Sequence, residues 1–362
     1  MTSTAVITVA DLAAGAADAD LLDADACPHR PLIVLDLDAG PTPSAAECEV
    51  AVRRARESDR LLVGRTSRSA PHCPPPLLDA LDLTLVRAAR DHLCTADAAS
   101  TPTVLAAEDP LAEAETLRAH AEDQPHAALV LRQLLRLASR LPVEQALDAE
   151  SFAYSTLLGG PGFARWLGAR GERPQPPQAG DEPVLARRQG STLRITLNRP
   201  ERRNAHSARM RDALTAAVST AIWDTGITEV VLDGNGPSFC SGGDLDEFGT
   251  APDLATAHLI RTRAGAARQL HAIRGRLTSR LHGHCVGAGI ELPAFGARVV
   301  AAPDTLIRLP ELGMGLIPGA GGTVSIPRRI GRWRTLYLVL DGRVIQADRA
   351  LAWGLVDQVE QS

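Results

Sequence analysis

The chain lacks the sequence features of several large classes of protein. Its six cysteines are scattered, with no C-x-x-C pair and no spacing to histidine that suits a metal, so we predict reduced thiols and no metal site. No long basic run interrupts a chain of net charge −5, which argues against a surface for nucleic acids or anionic membranes. No apolar run reaches the ~18 residues of a membrane span, and the first ~25 residues lack the basic start of a secretory signal. We therefore expect a cytoplasmic protein.

Apolar residues, in contrast, make up 45% of the 362 positions and are spread along the whole chain. This content is enough to bury a large core, and the length suits two domains. The clearest boundary is 171–183, where proline, glycine and charge replace apolar periodicity. We predict a linker there, a catalytic core over 184–362, a first half over 27–170 and a weakly ordered N-terminus over 1–26.

Hydrophobic periodicity predicts strands that alternate with helices on both sides of this linker, which indicates an α/β fold. Alternating apolar and polar residues around Gln189-Gly190 predict a β-hairpin. The predicted strands are 31–37, 60–63, 184–186, 193–197, 229–232, 278–281 and 297–301, and the predicted helices are 45–57, 207–223 and several within the helical segment 111–170.

Two turns rich in small residues follow predicted strands. Residues 239–245 have the sequence FCSGGDL, and residues 284–291 have the sequence HCVGAGIE. Small side chains let a ligand approach backbone N–H groups, and a helix starting in the second turn would offer free N–H groups. Two converging amides would polarise a carbonyl group. Each turn alone is equally consistent with a tight structural turn, and G-A-G-I lacks the full dinucleotide-binding fingerprint.

The informative carboxylates are Glu291 and Glu311, because each is the only acid within an apolar or small-residue segment. Burying a glutamate is costly unless it is partnered or used, and a buried carboxyl group has a raised pKa that suits proton transfer. The sequence leaves open that each one caps a helix or pairs with an arginine such as Arg308 or Arg328.

Four motifs together resemble those of the crotonase (enoyl-CoA hydratase/isomerase) superfamily, in order and in approximate spacing. They are N-R-P at 198–200 with N-A at 204–205, then FCSGGDL, then GAGIE, then LPELGMGLIPGAGGT at 309–323. The resemblance covers 182–358. It implies a spiral of ββα repeats, an acyl-CoA thioester as substrate, no separate cofactor because coenzyme A is part of the substrate, and a homo-oligomer, either a trimer or a hexamer.

The same resemblance assigns roles to residues. It implies an oxyanion hole formed by the amides of Gly243 and Ala288, with Glu291 and Glu311 holding a water whose placement is aided by the backbone of Gly319. Ala288 departs from the family, in which glycine is usual, and Arg308 stands where a small residue is common. The residues expected to line coenzyme A are Arg203, Ala205, Ser241, Asp244 and Leu245.

Retention of both glutamates favours hydration of a 2-enoyl-CoA to a 3-hydroxyacyl-CoA over the other reactions of this superfamily. The alternatives are double-bond isomerisation of an enoyl-CoA, or a catalytically weak protein that binds acyl-CoA or supports an assembly.

Family members normally continue beyond this core with helices that cover the active site, yet residues 127–173 resemble that C-terminal segment. We hypothesise that the tail has moved in front of the core, with 31–64 as the remnant of a degenerate crotonase spiral. Helices near Leu131 and Trp166 would then pack on the core.

Overall fold

The computed structural model describes residues 6–171 and 182–360, so most of the predicted linker 171–183 lies outside the described residues. The chain divides into two compact units, Met1–Gln133 with Ile330–Asp341, and Leu134–Arg329 with Gly342–Ser362. The helices are α1 (Val9–Ala13), α2 (Ala45–Glu57), α3 (Pro75–Ala80), α4 (Leu93–Ala99), α5 (Pro110–Asp123), α6 (Pro125–Ala138), α7 (Val143–Leu158), α8 (Pro161–Arg170), α9 (Ala208–Trp223), α10 (Leu254–Arg263), α11 (Ala267–Ala272), α12 (Ala288–Glu291), α13 (Gly322–Asp341) and α14 (Ala347–Trp353). The strands are β1 (Val6–Thr8), β2 (Leu32–Asp36), β3 (Leu61–Arg65), β4 (Leu83–Arg87), β5 (Val104–Ala107), β6 (Val184–Gln189), β7 (Thr192–Leu197), β8 (Glu229–Gly234), β9 (Leu277–Leu281), β10 (His284–Val286), β11 (Arg298–Ala301), β12 (Leu306–Arg308), β13 (Ile345–Gln346) and β14 (Gln358–Val359).

The first unit is built on a parallel sheet with the strand order β1-β2-β3-β4-β5. Strands β2, β3 and β4 are nearly continuous runs of buried apolar residues, as expected for parallel strands covered on both faces. Helix α2, predicted over 45–57, has these bounds in the structure, and its N-terminus is fixed by a capping box between Ser44 and Glu47.

The sequence predicts a weakly ordered N-terminus over residues 1–26. From residue 6 onward, however, the structure contains a strand and a helix. Strand β1 pairs in parallel with β2, and Thr8 caps α1 in a capping box with Asp11. Leu12 is fully buried. A strand of three residues followed by a helix of five is too short to establish a hydrophobic period, so the sequence gives little sign of either.

The second unit contains a sheet with the order β14-β11-β9-β8-β7-β6 and a small sheet with the order β10-β12-β13. The predicted hairpin is confirmed, because β6 and β7 pair antiparallel and Gly190 turns between them with φ +61°. The other neighbours in the large sheet are parallel. The α/β class predicted from the sequence is therefore confirmed. Across the described residues, no helix is both long and apolar enough to cross a membrane.

Helices α7 and α8 belong to the second unit, which begins at Leu134. The sequence predicted the boundary between the two halves later in the chain, at 171–183. Phe163 of α8 is buried, and the ring of Trp166 lies 5.9 Å from that of Phe248. A Cβ on Gly315 would meet the backbone of Gly162 at 2.4 Å, so the start of α8 lies directly against the segment that follows Glu311. The hypothesis of a displaced tail requires the helix that carries Trp166 to pack on the core, and α8 has this packing. The hypothesis makes the same requirement of Leu131, which belongs to the first unit.

Candidate active site

Two small-residue turns run side by side in the second unit. The N–H of Cys240 donates to the carbonyl of His284 (3.1 Å), and the N–H of Val286 donates to the carbonyl of Cys240 (3.0 Å). A Cβ on Gly289 would lie 2.3 Å from the carbonyl oxygen of Cys240, so only glycine allows this approach. The two motifs predicted from the sequence are thus in contact.

The amides expected to form the oxyanion hole lie in these turns. Their neighbours are bonded within the protein, because the N–H of Asp244 donates to His206 (3.2 Å) and that of Gly287 donates to Arg308 (3.0 Å). Among the described residues, no protein acceptor takes the N–H of Gly243 or Ala288. Ala288 is the first residue of α12, where an N–H has no acceptor within the helix. Both predicted donors therefore remain available to a ligand.

The two glutamates singled out in the sequence converge beside the second turn. A Cβ placed on Gly287, which has φ +50°, would meet Glu311 Oε1 at 2.6 Å and Glu291 Oε1 at 3.6 Å. Both carboxyl groups are therefore adjacent to the residue that precedes the Ala288 amide. Arg308, one of the suggested arginine partners, instead donates to the carbonyl of Gly342 through its side chain.

The two carboxyl groups differ in their hydrogen bonds. Glu291 Oε2 accepts from the N–H groups of Ala320 (2.7 Å) and Gly322 (2.9 Å). Glu311 Oε2 is buried and has no hydrogen-bond partner among the described residues. Bonds from N–H donors favour an ionised carboxylate, and burial without donors favours the neutral acid.

Burial raises the pKa of both groups. Desolvation, followed by repulsion from Glu311 and Glu150, raises the pKa of Glu291 well above its ordinary value. Desolvation raises the pKa of Glu311 to about 8. Two close carboxyl groups with raised pKa values titrate as a pair, so near neutral pH one can hold the proton that the other has lost. This arrangement suits a reaction that needs both a base and an acid.

The backbone of Gly319 lies under an aromatic ring that the sequence did not mark as part of the site. A Cβ on Gly319 would lie 2.4 Å from the ring of Tyr154 on α7, so glycine is required for this packing. The guanidinium of Arg261 lies 4.6 Å from the centre of the same ring. The expected role of Gly319 in placing a water stays a prediction.

A third buried glutamate, Glu150 on α7, also lies at this site. It is 3% exposed and accepts hydrogen bonds from the loop that binds Glu291. The sequence did not single out Glu150, because α7 carries no motif. The only signal was the resemblance of residues 127–173 to the family's C-terminal helices.

A cavity of about 130 Å³ also lies at this loop, and Glu150, Leu292 and the residues Gly319, Ala320 and Gly321 contribute to its walls. None of the predicted catalytic residues Glu291, Glu311, Gly243 and Ala288 is part of its lining. The reacting centre predicted from the sequence corresponds instead to the point where the two carboxyl groups converge beside the Ala288 amide.

The residues expected to line coenzyme A lie on two neighbouring segments. The N–H of Ser241 donates to the carbonyl of Arg203 (3.0 Å), which has a left-handed backbone with φ +48°. Arg203 is exposed, Ala205 is buried, and Leu245 is 42% exposed. The structure therefore brings these residues together near Gly243, while their contact with coenzyme A stays a prediction.

Asp244 differs from the other residues expected to line coenzyme A, because its side chain is held by ion pairs within the protein. Its carboxylate is 3% exposed and accepts from Arg202 (2.8 Å) and Arg199 (3.4 Å). Arg202 also binds Asp246, which in turn binds Arg170 of α8. The Asp244 carboxylate is thus engaged within the protein, and it holds the loop next to Gly243.

The enoyl-CoA hydratase/isomerase family model matches residues 187–361. The 2,3-dehydroadipyl-CoA hydratase of Escherichia coli K12 is 37% identical over 176 residues, which cover 49% of this chain and 68% of that protein. The 1,2-epoxyphenylacetyl-CoA isomerase of the same organism is 33% identical over 181 residues, covering 49% and 69%. The solved enoyl-CoA hydratase of Thermoplasma volcanium is 31% identical over 50% of this chain and 73% of its own, with a TM-score of 0.47. The chain therefore belongs to the enoyl-CoA hydratase/isomerase family, as its motifs predicted.

The position of Asp244 leads to a test of the coenzyme A site that the sequence predicts. Asp244→Asn is expected to lower stability by about 2 kcal/mol, because it weakens buried hydrogen bonds to charged groups. It should leave the Kd for coenzyme A within about twofold, since a change below 0.5 kcal/mol is expected where no contact is lost. Thermal unfolding and calorimetric titration measure the two effects, with the exposed Asp212→Asn as control. A tenfold weaker Kd at unchanged stability would instead place the carboxylate against the ligand.

Proposed function

We propose that this protein hydrates a 2-enoyl-CoA to a 3-hydroxyacyl-CoA. The observation that carries the proposal is the convergence of two buried glutamates beside two unpaired backbone amides. The distances from Gly287 place both carboxyl groups at one point, and the amide of Ala288 follows directly in the chain.

In this mechanism the amides of Gly243 and Ala288 bind the thioester oxygen and stabilise the enolate that forms when water attacks. One of the two glutamates acts as the base and removes a proton from the water as the oxygen bonds to Cβ. The other glutamate carries the proton that is given to Cα. Each proton lost by one group is matched by one gained at the other, so the sum of their charges is unchanged.

The alternative of double-bond isomerisation has one observation in its favour, which is that a relative of 33% identity is named as an isomerase. Moving a double bond requires one group to take a proton from the acyl chain and return it, whereas adding water uses a base and an acid together. The convergence of two carboxyl groups therefore supports hydration more strongly.

The test is to incubate the protein with crotonyl-CoA and with a longer 2-enoyl-CoA, and to follow absorbance of the conjugated enoyl thioester. Hydration is expected to remove the band and to add the mass of one water to the thioester. A 3-enoyl-CoA serves as the comparison, because appearance of the band without a change in mass would identify an isomerase. No reaction of either substrate would leave binding of acyl-CoA as the function to examine.

A further inference from the structure

Four consecutive amides of one loop alternate between two buried carboxylates. The N–H groups of Ala320 and Gly322 donate to Glu291 Oε2, at 2.7 and 2.9 Å. The N–H groups of Gly321 and Thr323 donate to the two oxygens of Glu150, at 2.7 and 2.9 Å. The hydroxyl of Thr323 adds a third bond to Glu150, at 2.7 Å. The loop is therefore held between Glu291, which the sequence predicted as a site residue, and Glu150, which the sequence did not single out.

Glu150 lies on α7, which is outside the residues that match the family model, 187–361. The helix has further contacts of its own within the second unit. Ser151 accepts a hydrogen bond from Arg261 (3.1 Å) and contacts the ring of His258 (3.0 Å), and Asp148 binds Arg268. Glu150 therefore projects from a helix whose position does not depend on the loop alone.

The chemistry of Glu150 is specific to a carboxylate. Burying a charge is costly, and three donors at its two oxygens offset part of that cost. A glutamine of the same shape would present its NH₂ group to donors at one of the two positions. Losing these bonds would leave the N–H groups of Gly321 and Thr323 unsatisfied, and the loop would rotate to satisfy them. The amides of Ala320 and Gly322 lie on the same four-residue stretch and would then move away from Glu291.

We propose that Glu150 is a positioning residue for the reaction, because it fixes residues 320–323 so that the Ala320 and Gly322 amides hold Glu291 in its working orientation. The proposal rests on the proposed function for the role of Glu291. It assigns to α7 a part in positioning the reacting groups, although this helix lies outside the residues that match the family model.

The kinetic test compares Glu150→Gln with Glu144→Gln, an exposed glutamate at the start of the same helix. Glu150→Gln is expected to lower kcat about 10- to 100-fold, because misplacement of a reacting group is costly, and to leave KM within about threefold. The same change made in a Glu291→Gln background is expected to cost less than about threefold, because the residue it positions has already been removed. A purely structural role would give additive losses in the double variant, and that result would overturn the proposal.

The second readout does not depend on catalysis. Hydrogen–deuterium exchange of the peptide containing residues 320–323 is expected to be about tenfold faster or more in Glu150→Gln, since exchange reports local opening, and unchanged in Glu144→Gln. Thr323→Val removes one donor from the loop side and is expected to give a smaller change in the same direction, which keeps the test decisive if Glu150→Gln does not fold. Unchanged exchange in both variants would overturn the proposal. If the wild-type protein does not hydrate a 2-enoyl-CoA, the proposed function is wrong. Hydrogen–deuterium exchange by itself then tests whether Glu150 holds the loop.

Discussion

Replacing either Glu291 or Glu311 with glutamine is expected to lower kcat for the proposed hydration by about 10²- to 10⁴-fold, the range typical of a lost general acid or base. Glutamine keeps the size of the side chain but neither takes nor gives a proton at neutral pH. The two groups act on one substrate together, so the double variant is expected to lose little more than the worse single variant. Initial rates with crotonyl-CoA, analysed for kcat and KM, measure these effects.

The matched control for this experiment is Glu229→Gln, which changes an exposed glutamate at the start of β8. It is expected to keep wild-type rates. The two-glutamate mechanism would be wrong if either active-site variant retained more than about a tenth of the wild-type kcat, since loss of a proton-transfer group costs at least about 100-fold. Isomerase activity that depends on only one of the two glutamates would instead support the alternative function.

The second large effect concerns stability. The pKa of Glu311 is raised from 4.5 to about 8 in the folded protein by burial, so the folded state keeps a proton that the unfolded state releases. The free-energy cost of ionising Glu311 in the folded state is absent below pH 4.5 and grows as the pH rises. It is complete above about 8, where it reaches on the order of 5 kcal/mol. Glu311→Gln is therefore expected to stabilise the protein at pH 8.5 and to have much less effect on the free energy of unfolding at pH 5.

Urea unfolding of wild type and Glu311→Gln at several pH values measures this difference. The comparison between variants is needed because burial lowers the pKa of His206 to about 4, which makes wild-type stability rise with pH up to about 6.5. That contribution is common to both proteins and cancels in the difference. Glu229→Gln again serves as control. Parallel stability curves for wild type and Glu311→Gln would show that Glu311 is ionised at little cost, and they would contradict a role for Glu311 as a proton carrier with a raised pKa.

These two predictions share one physical cause. Burial in a low-dielectric site raises the pKa of Glu311 into the range useful for proton transfer, and the same burial makes the ionised form costly to fold. A variant that is more stable at high pH and inactive is the expected consequence.

Several parts of the site follow from the sequence because they depend on local geometry. The turns that contain Gly243 and Ala288 are marked in the sequence by small residues after predicted strands. Glu291 and Glu311 stand out as single acids in apolar segments, which is a property of composition. The hairpin before them follows from its alternating residues around a glycine turn.

Other parts depend on contacts that join distant positions. Glu150 reaches Gly321 across 171 positions of sequence, and Tyr154 lies against Gly319. The helical period of α7 predicts a helix and one buried face, but it does not identify the segment that this face covers. The ion pairs of Asp244 are a further example, since the sequence motif predicts the loop and leaves the partners of its carboxylate unspecified.

The sequence by itself determined the α/β class, the family, and the residue types available for acid–base chemistry and oxyanion binding, because these are encoded in short segments whose geometry is local. Only the tertiary structure decided that both carboxyl groups converge at Gly287, and that α7 supplies a third buried glutamate. It also placed 134–170 in the same unit as the core and showed order from residue 6. The physical reason is that burial and hydrogen bonding between distant segments are properties of the packed chain, and no window of sequence contains both partners.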